Sequence, residues 1–375
     1  MSPMWFHSVR IAERERRSKF LPALGTLGNP SPSSSRTRFR GLYSDPDSVM
    51  PGIPVRALAA CLILGTSLSG CSEGAAREDS AFPQEFSCGP ATVVAILPES
   101  LIEASGIARD PRREDLFWLH NDGRRDILLF GVDTTGAVLA TARVTNVVNS
   151  DVEDVTIGRC GSDWCVYLGD IGDNRARRSS VRVHVIPLPA LPDPEQTAAE
   201  RGRETEAIHQ ELTALASLEL QYPDGPRDAA GLVIDDAREQ LLVVSKGRQG
   251  AGVVVYSMDL LGFEWSDRSV RTLNRVGRLA IPVGGSISQL VTAADLSPDG
   301  SSLALRSYAS LHLLPWSGAA LQDTTLVPYS AFLFLAFEPQ GEGVTWGADG
   351  EFLYLASEGR NGRPPQLSRI LCRSD

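Results

Sequence analysis

From about residue 91 onward, short apolar runs alternate with polar turns. Five segments repeat one phrase: 103–110, 151–158, 228–235, 292–299 and 340–347. Each opens on a small or acidic pair, continues through a hydrophobic residue into a short strand, and ends in a turn. Aligned on Ile107, Val155, Leu232, Leu296 and Val344, the repeats recur at a length suited to one hairpin-built unit. A second apolar run follows each, at 116–119, 165–168, 240–244, 302–305 and 352–355. Pro298-Asp299-Gly300 and Ala348-Asp349-Gly350 supply turns between the pairs. Third strands fit 126–132, 181–186, 252–258, 310–315 and 366–371. Fourth strands fit 137–144, 212–221, 269–281 and 324–334.

Repeats of this length built from antiparallel strands predict an all-β fold, a β-propeller. The fifth repeat lacks a fourth strand because the chain ends at Asp375, while the apolar run 91–97 has no repeat of its own. The expectation is therefore five four-stranded blades, the ring closed by this N-terminal strand. Residues 188–228 leave room for a sixth blade, or for a short surface helix within 194–217.

The start of the chain follows a different pattern. Residues 57–70 form an apolar run of signal-peptide length, preceded by Arg56 and too short to span a bilayer. Leu68-Ser69-Gly70-Cys71 resembles the lipobox of bacterial lipoproteins, which implies cleavage before Cys71 and a lipid on its thiol. The expected organisation is a leader without fold, or an upstream misread start, at 1–49. A signal segment follows at 50–70, a lipidated tether at 71–90 and the propeller at 91–375. This predicts an exported monomer attached to the cell envelope, touching the membrane only through its anchor.

Four cysteines remain for an exported body, an even set that suggests disulfides. Cys372 ends the last third strand and Cys88 precedes the closing strand, so these two are expected to pair. Cys160 and Cys165 flank a hairpin turn and form the second expected pair.

Charge narrows the partners. The chain carries −10 overall, but residues 1–70 hold nine Arg/Lys against four Asp/Glu, leaving 27 against 42 in the rest. An acidic body disfavours nucleic acid, whose binding needs cationic phosphate contacts. In a propeller the inner strands start, and the second strands end, at one mouth of the channel. The repeat thus gathers Glu103, Asp151, Glu153, Asp228, Asp295 and Glu342 as candidate divalent-cation ligands, with Ca²⁺ the hard cation such oxygens suit. Asn121, Asp122, Asp170, Arg306, Glu358 and Arg360 are candidate ligand contacts at the same mouth. His120 is the only histidine there, and Lys246 the only lysine beyond Lys19; both are candidate catalytic groups. No Gly-x-Ser-x-Gly elbow, phosphate loop or dinucleotide fingerprint is present.

The phrases Glu-Ala-Ser-Gly-Ile (103–107), His-Asn-Asp-Gly (120–123), Val-Glu-Asp-Val (152–155), Gly-Asp-Ile-Gly-Asp-Asn (169–174), Tyr-Pro-Asp-Gly-Pro-Arg-Asp-Ala (222–229) and Gln-Gly-Glu-Gly-Val (340–344) resemble a group of exported bacterial propeller lipoproteins with no established activity. More distantly, the Glu-x-x-Gly pattern is similar to the SdiA-regulated, phytase-like and paraoxonase/lactonase propellers, whose channel carboxylates and Asn hold Ca²⁺. That likeness implies a calcium site at Glu103, Asp151, Glu153, Asp228 and Glu342, although Ala230 and Ala294 stand where an acid is expected. Two functions follow as expectations. One is a module that binds a small molecule or protein at the channel mouth, with or without a cation. The other is a calcium-assisted lactonase, esterase or phosphatase, with a carboxylate-pair glycosidase behind it.

Overall fold

The structure, a computed structural model, describes residues 86–123, 126–191, 207–248, 252–262, 268–281, 290–318, 321, 325–326, 329–332 and 338–374. The expected leader, signal segment and Cys71 lie outside these residues, as does most of the helix suggested within 194–217. Among the described residues no helix is long and apolar enough to cross a membrane.

Strand pairing begins at Phe86, inside the stretch expected as tether. β1 (Phe86–Cys88) and β2 (Thr92–Ile96) run antiparallel to the last strand of the chain. The first blade follows: β3 (Ala104–Arg109), β4 (Leu116–Asn121), β5 (Leu128–Asp133) and β6 (Val138–Thr145). The second has β7 (Asp154–Cys160), β8 (Asp163–Asp170), β9 (Val181–Pro187), then β10 (Ile208–Thr213) and β11 (Ala216–Gln221). The third has β12 (Ala229–Asp235), β13 (Gln240–Ser245), β14 (Val253–Asp259), β15 (Arg271–Thr272) and β16 (Asn274–Ala280). The fourth has β17 (Val291–Leu296), β18 (Ser302–Ser307), β19 (Ser310–Pro315), β20 (Thr325–Leu326) and β21 (Tyr329–Phe332). In the fifth, β22 (Gln340–Trp346), β23 (Phe352–Glu358) and β24 (Gln366–Ser374) are completed by β1 and β2. The fold is a five-bladed β-propeller.

Cys88 faces Cys372 across the closing ladder and is bonded to it, and Cys160 is bonded to Cys165 across the β7–β8 hairpin. Both pairings match the sequence expectation.

Three expected fourth strands prove to be two strands each. β10, β15 and β20 cross over and pair in parallel with the outer strands of the preceding blades, β6, β11 and β16, whose sheets they join, before the chain returns to complete its own blade. Only one or two residues separate each of them from the strand that follows, so the sequence reads a single run. Residues 208–221 are consumed by this exchange, which leaves no sixth blade.

The core is distributed. Five apolar clusters each fill one seam between adjacent blades, as in the Tyr167–Leu232–Val243 seam of blades two and three and the Val244–Leu305–Trp316 seam of blades three and four. Strands buried on both faces need apolar residues at successive positions, which is why β13 reads Leu-Leu-Val-Val.

The inner strands carry the feature that shapes the channel. β3, β12, β17 and β22 each slip register near their start, between Ala104/Ile107, Ala229/Gly231, Val291/Ala293 and Gly341/Gly343. A β-bulge re-aims a side chain. Aligned on these ladders, Ser105, Glu153, Ala230, Thr292 and Glu342 form one layer, and Gly106, Asp154, Gly231, Ala293 and Gly343 the next. The true blade-four equivalent of Leu232 and Val344 is Ala294, not Leu296, because Ala294 faces Leu305 as Leu232 faces Val243 and Val344 faces Leu355.

Candidate functional site

The glycine layer is the waist of the channel. A Cβ on Gly106 would lie 2.6 Å from the Val155 nitrogen, and one on Gly343 would lie 2.6 Å from the Ser105 carbonyl oxygen. Asp154 occupies this waist. Its Oδ1 accepts the Val155 N–H at 2.9 Å, and its Oδ2 accepts the Leu232 and Ala294 N–H groups at 2.9 and 3.3 Å. One carboxyl thereby joins inner strands of blades two, three and four and separates two mouths. Burial drives its pKa well up, against the pull of the three N–H donors.

His120 belongs to this layer. It is 1% exposed; Nε2 accepts the Gly106 N–H at 3.2 Å and Nδ1 lies 3.0 Å from the Asn121 carbonyl. That pairing assigns the proton to Nδ1. Burial lowers the pKa of the imidazole, and both ring nitrogens are engaged.

Above the waist lie Glu153, just before β7, and Glu342, which sits at the β22 bulge. Lys246 Nζ donates to Glu153 Oε2 at 3.0 Å, and both side chains are at least nine-tenths buried. Tyr308 packs beside the same ammonium, its ring centroid 5.6 Å away. Burial raises the Glu153 pKa to about 7, with Lys246 pulling down and Asp228 and Asp122 pushing up. Burial also raises Glu342, to about 8, against Gln340 and Lys246 and with help from Glu358 and Glu153. Desolvation works against the Lys246 ammonium, but Glu153, Tyr308 and Glu342 outweigh it and the amine stays protonated. Near neutral pH the cluster thus sets two carboxyls with raised pKa values beside one ammonium.

The remaining predicted residues divide into groups. Gln340 links Glu342, Glu358 and Arg360: its amide donates to both carboxylates, and its oxygen accepts from the Arg360 guanidinium. On the flank of blades two and three, Asp170 is fully buried and pairs with Arg178 at 2.8 Å while accepting the Asp151 N–H at 2.9 Å. Asp228 pairs with Arg248 and accepts the Asp173 N–H at 2.9 Å. A Cβ on Gly172 would meet the carboxylates of Asp151 and Glu153, each 2.6 Å away, which explains the glycine there. Glu103 and Asp122 are exposed at the rim, where Asp122 N–H donates to the Glu103 carbonyl at 2.8 Å. Asn121 Nδ2 donates to the Ser100 carbonyl at 2.7 Å. Arg306 is fully buried against Glu338. Asp295 is not at this mouth: it lies beyond the waist, where Oδ2 accepts the Thr345 hydroxyl and the Trp346 N–H. The blade-four misalignment by two residues accounts for its misplacement.

These pairings bear on the calcium expectation. Three acids at this mouth already face cations: Glu153 with Lys246, Asp228 with Arg248 and Asp170 with Arg178. Among the described residues no group of three or more His, Cys, Asp or Glu is arranged to hold a metal ion.

Sequence reasoning missed Gln340, Tyr308, Arg248, Arg178 and Glu338 as partners. Gln340 was findable, since it occupies the blade-five position equivalent to Glu103, Asp151 and Asp228. The partner arginines carried no signal, because their reach depends on loop shape.

No protein-family model matches the chain, and no curated protein matches it in sequence. Among solved structures, the PQQ-bound form of aldose sugar dehydrogenase from Streptomyces coelicolor is similar over 78% of this chain and 99% of its own, at 14% identity and a TM-score of 0.41. Sqt1 from Chaetomium thermophilum, bound to the N-terminus of ribosomal protein L10, covers 70% of this chain and 60% of its own at 14% identity and a TM-score of 0.33. A Bacteroides uniformis protein described as a 6-phosphogluconolactonase covers 70% and 65%, at 12% identity and a TM-score of 0.34. These likenesses are too distant to bring any chemistry to this chain.

Proposed function

We propose that the chain is an exported, lipid-anchored propeller that binds a small, neutral, hydroxyl-rich molecule at the upper channel mouth. The observation that carries this reading is the buried Lys246–Glu153 ion pair, with the carboxyl of Glu342 near the same ammonium. Burying such a pair is costly, and apolar residues of similar volume would hold the ring at least as well. The cluster presents an ammonium donor and carboxyl groups that can both donate and accept. Its ammonium is offset by Glu153, so a neutral ligand with hydroxyl groups is matched at small desolvation cost. Asp154 supplies the floor.

A second reading rests on a specific property of the same pair. Carboxyls with pKa values of about 7 and 8 can both give and take a proton near neutral pH, as acid–base hydrolysis requires. Glu153 and Glu342 would then act on a lactone, ester or glycoside bond.

Thermal shift separates the possibilities. Glucose, myo-inositol and gluconolactone are titrated into wild type, Glu342→Gln and Lys246→Met, with parallel scans in Ca²⁺ and in chelator. The expected result is a saturable rise in melting temperature with at least one polyol, lost in both variants. If none of these compounds shifts wild type, or the variants respond equally, the binding reading falls. Turnover of gluconolactone that Glu342→Gln abolishes would favour the hydrolase. A fall in melting temperature with chelator, reversed by Ca²⁺, would restore the cation.

A further inference from the structure

The outer edges of the blades follow a rule with one gap. β10 covers β6, β15 covers β11 and β20 covers β16, each as the fifth strand of its sheet. In every case the covering strand ends opposite the last residue of the strand it covers. Thr213 faces Thr145, Thr272 faces Gln221 and Leu326 faces Ala280. The covering strand is always the stretch of chain that leads into the outer strand of the next blade, which begins one or two residues later as β11, β16 or β21.

Blade five cannot be covered in this way. The stretch leading into β6 is a tight turn at 134–137, where the Gly136 N–H donates to the Asp133 carbonyl at 2.9 Å, and it leaves no chain to cross over. Blade four can be. Its sheet ends at β21, with no further strand among the described residues. The outer strand of the next blade is formed by β1 and β2, so the stretch leading into it is the one before Phe86. Residues 80–84 of that stretch read Ser-Ala-Phe-Pro-Gln.

We propose that residues 80–84 complete blade four as a fifth strand, parallel to β21 and ending within a residue of Phe332. The occupant is the chain's own segment rather than a second copy, because its attachment at Phe86 holds it beside this edge at high effective concentration. Pro83 fits such a place. It has no N–H to give, and on an edge strand its nitrogen faces outward, which turns the N–H groups of residues 82 and 84 towards β21. A proline on the outer side also leaves a poor template for a further chain. Part of the stretch expected as a tether then belongs to the ring.

Hydrogen exchange in the full chain tests this through the backbone amides of Tyr329–Phe332. In wild type, the amides of β21 that point away from β19 are expected to be protected, equally at low and high protein concentration. The Phe82→Pro, Gln84→Pro double variant removes both donors that face β21. It should speed exchange there at least ~10-fold, while the Phe86–Cys88 ladder keeps its protection. Gln84→Pro alone should give a smaller change in the same amides and serves if the double variant folds poorly. Pro83→Ala, which adds only an outward N–H, should change nothing. Unprotected outward amides in wild type would overturn the proposal without any variant. So would unaltered exchange in a folded Gln84→Pro or double-variant protein. Protection that grows with protein concentration would assign the edge to a second copy and overturn it equally.

Discussion

Asp154 shows how much can rest on one side chain. It is the only acid in a layer whose other members are Gly106, Gly231, Ala293 and Gly343, and it accepts from three blades. Replacing it with Asn keeps the volume but turns one acceptor into an N–H₂ donor. That donor would face a backbone N–H, leaving a buried group unmatched at about 2 kcal/mol. Asp154→Asn should therefore lower stability by that order in urea unfolding, without occupying either mouth. A loss below about 0.5 kcal/mol would show that the waist is not held by these bonds. Its neighbour Glu153 was legible as a candidate because acids recur at the repeat starts. That it meets Lys246 while Asp154 plugs the waist depends on how β7 packs against β12 and β17, and that packing is not revealed by local sequence.

At the level of elements, the ring is stitched in two ways. The parallel strands β10, β15 and β20 hand each of the first three blades an edge partner from the next, so those outer edges are paired rather than left as templates for aggregation. The last blade is closed by β1 and β2 and locked by Cys88–Cys372, which spans 284 residues, while Cys160–Cys165 spans five. Loop-closure entropy grows with the length of the closed segment. Replacing Cys88 and Cys372 with Ser should cost about 4 kcal/mol, and replacing Cys160 and Cys165 about 2 kcal/mol. Calorimetric scans of the two double variants would check the order; equal losses would mean that the ring ladder, not the bridge, fixes closure. The closing pair was readable from chain order, since the end of a third strand lies beside the start of a fourth. The exchanged strands were not, because one or two intervening residues leave no turn signature.

For the molecule as a whole, the buried groups set the pH response. Glu153, Glu342 and Asp295 are raised, so the folded state holds protons that the unfolded chain releases from about pH 4 upward. Their contribution is full at low pH and is lost as pH rises towards about 8. Burial lowers His312 to about 4 and also lowers His120 and His184, so these contribute stability that fades as pH falls below about 6.5. The two trends meet in a maximum on the mildly acidic side. Urea midpoints across pH should fall on both sides of it, and the Glu153→Gln, Glu342→Gln double variant should lose most of the alkaline limb. An unaltered alkaline limb in that variant would mean that these carboxyls are not held protonated in the folded ring.

The amino-acid sequence determined the blade count, the direction of the inner strands, both disulfides and the acidic character of one mouth. Each of these follows from local alternation and chain order, which survive without knowledge of partners. Tertiary structure alone decided which acids meet which cations. It drew Lys246 onto Glu153 from 93 residues away, paired Gln340 with Glu342 and Glu358, and moved Asp295 to the far side of the waist. Those outcomes turn on one-residue bulges and on loops from different blades converging over a few ångströms. Because side chains on a strand alternate faces, a register error of one residue sends a carboxylate to the opposite face.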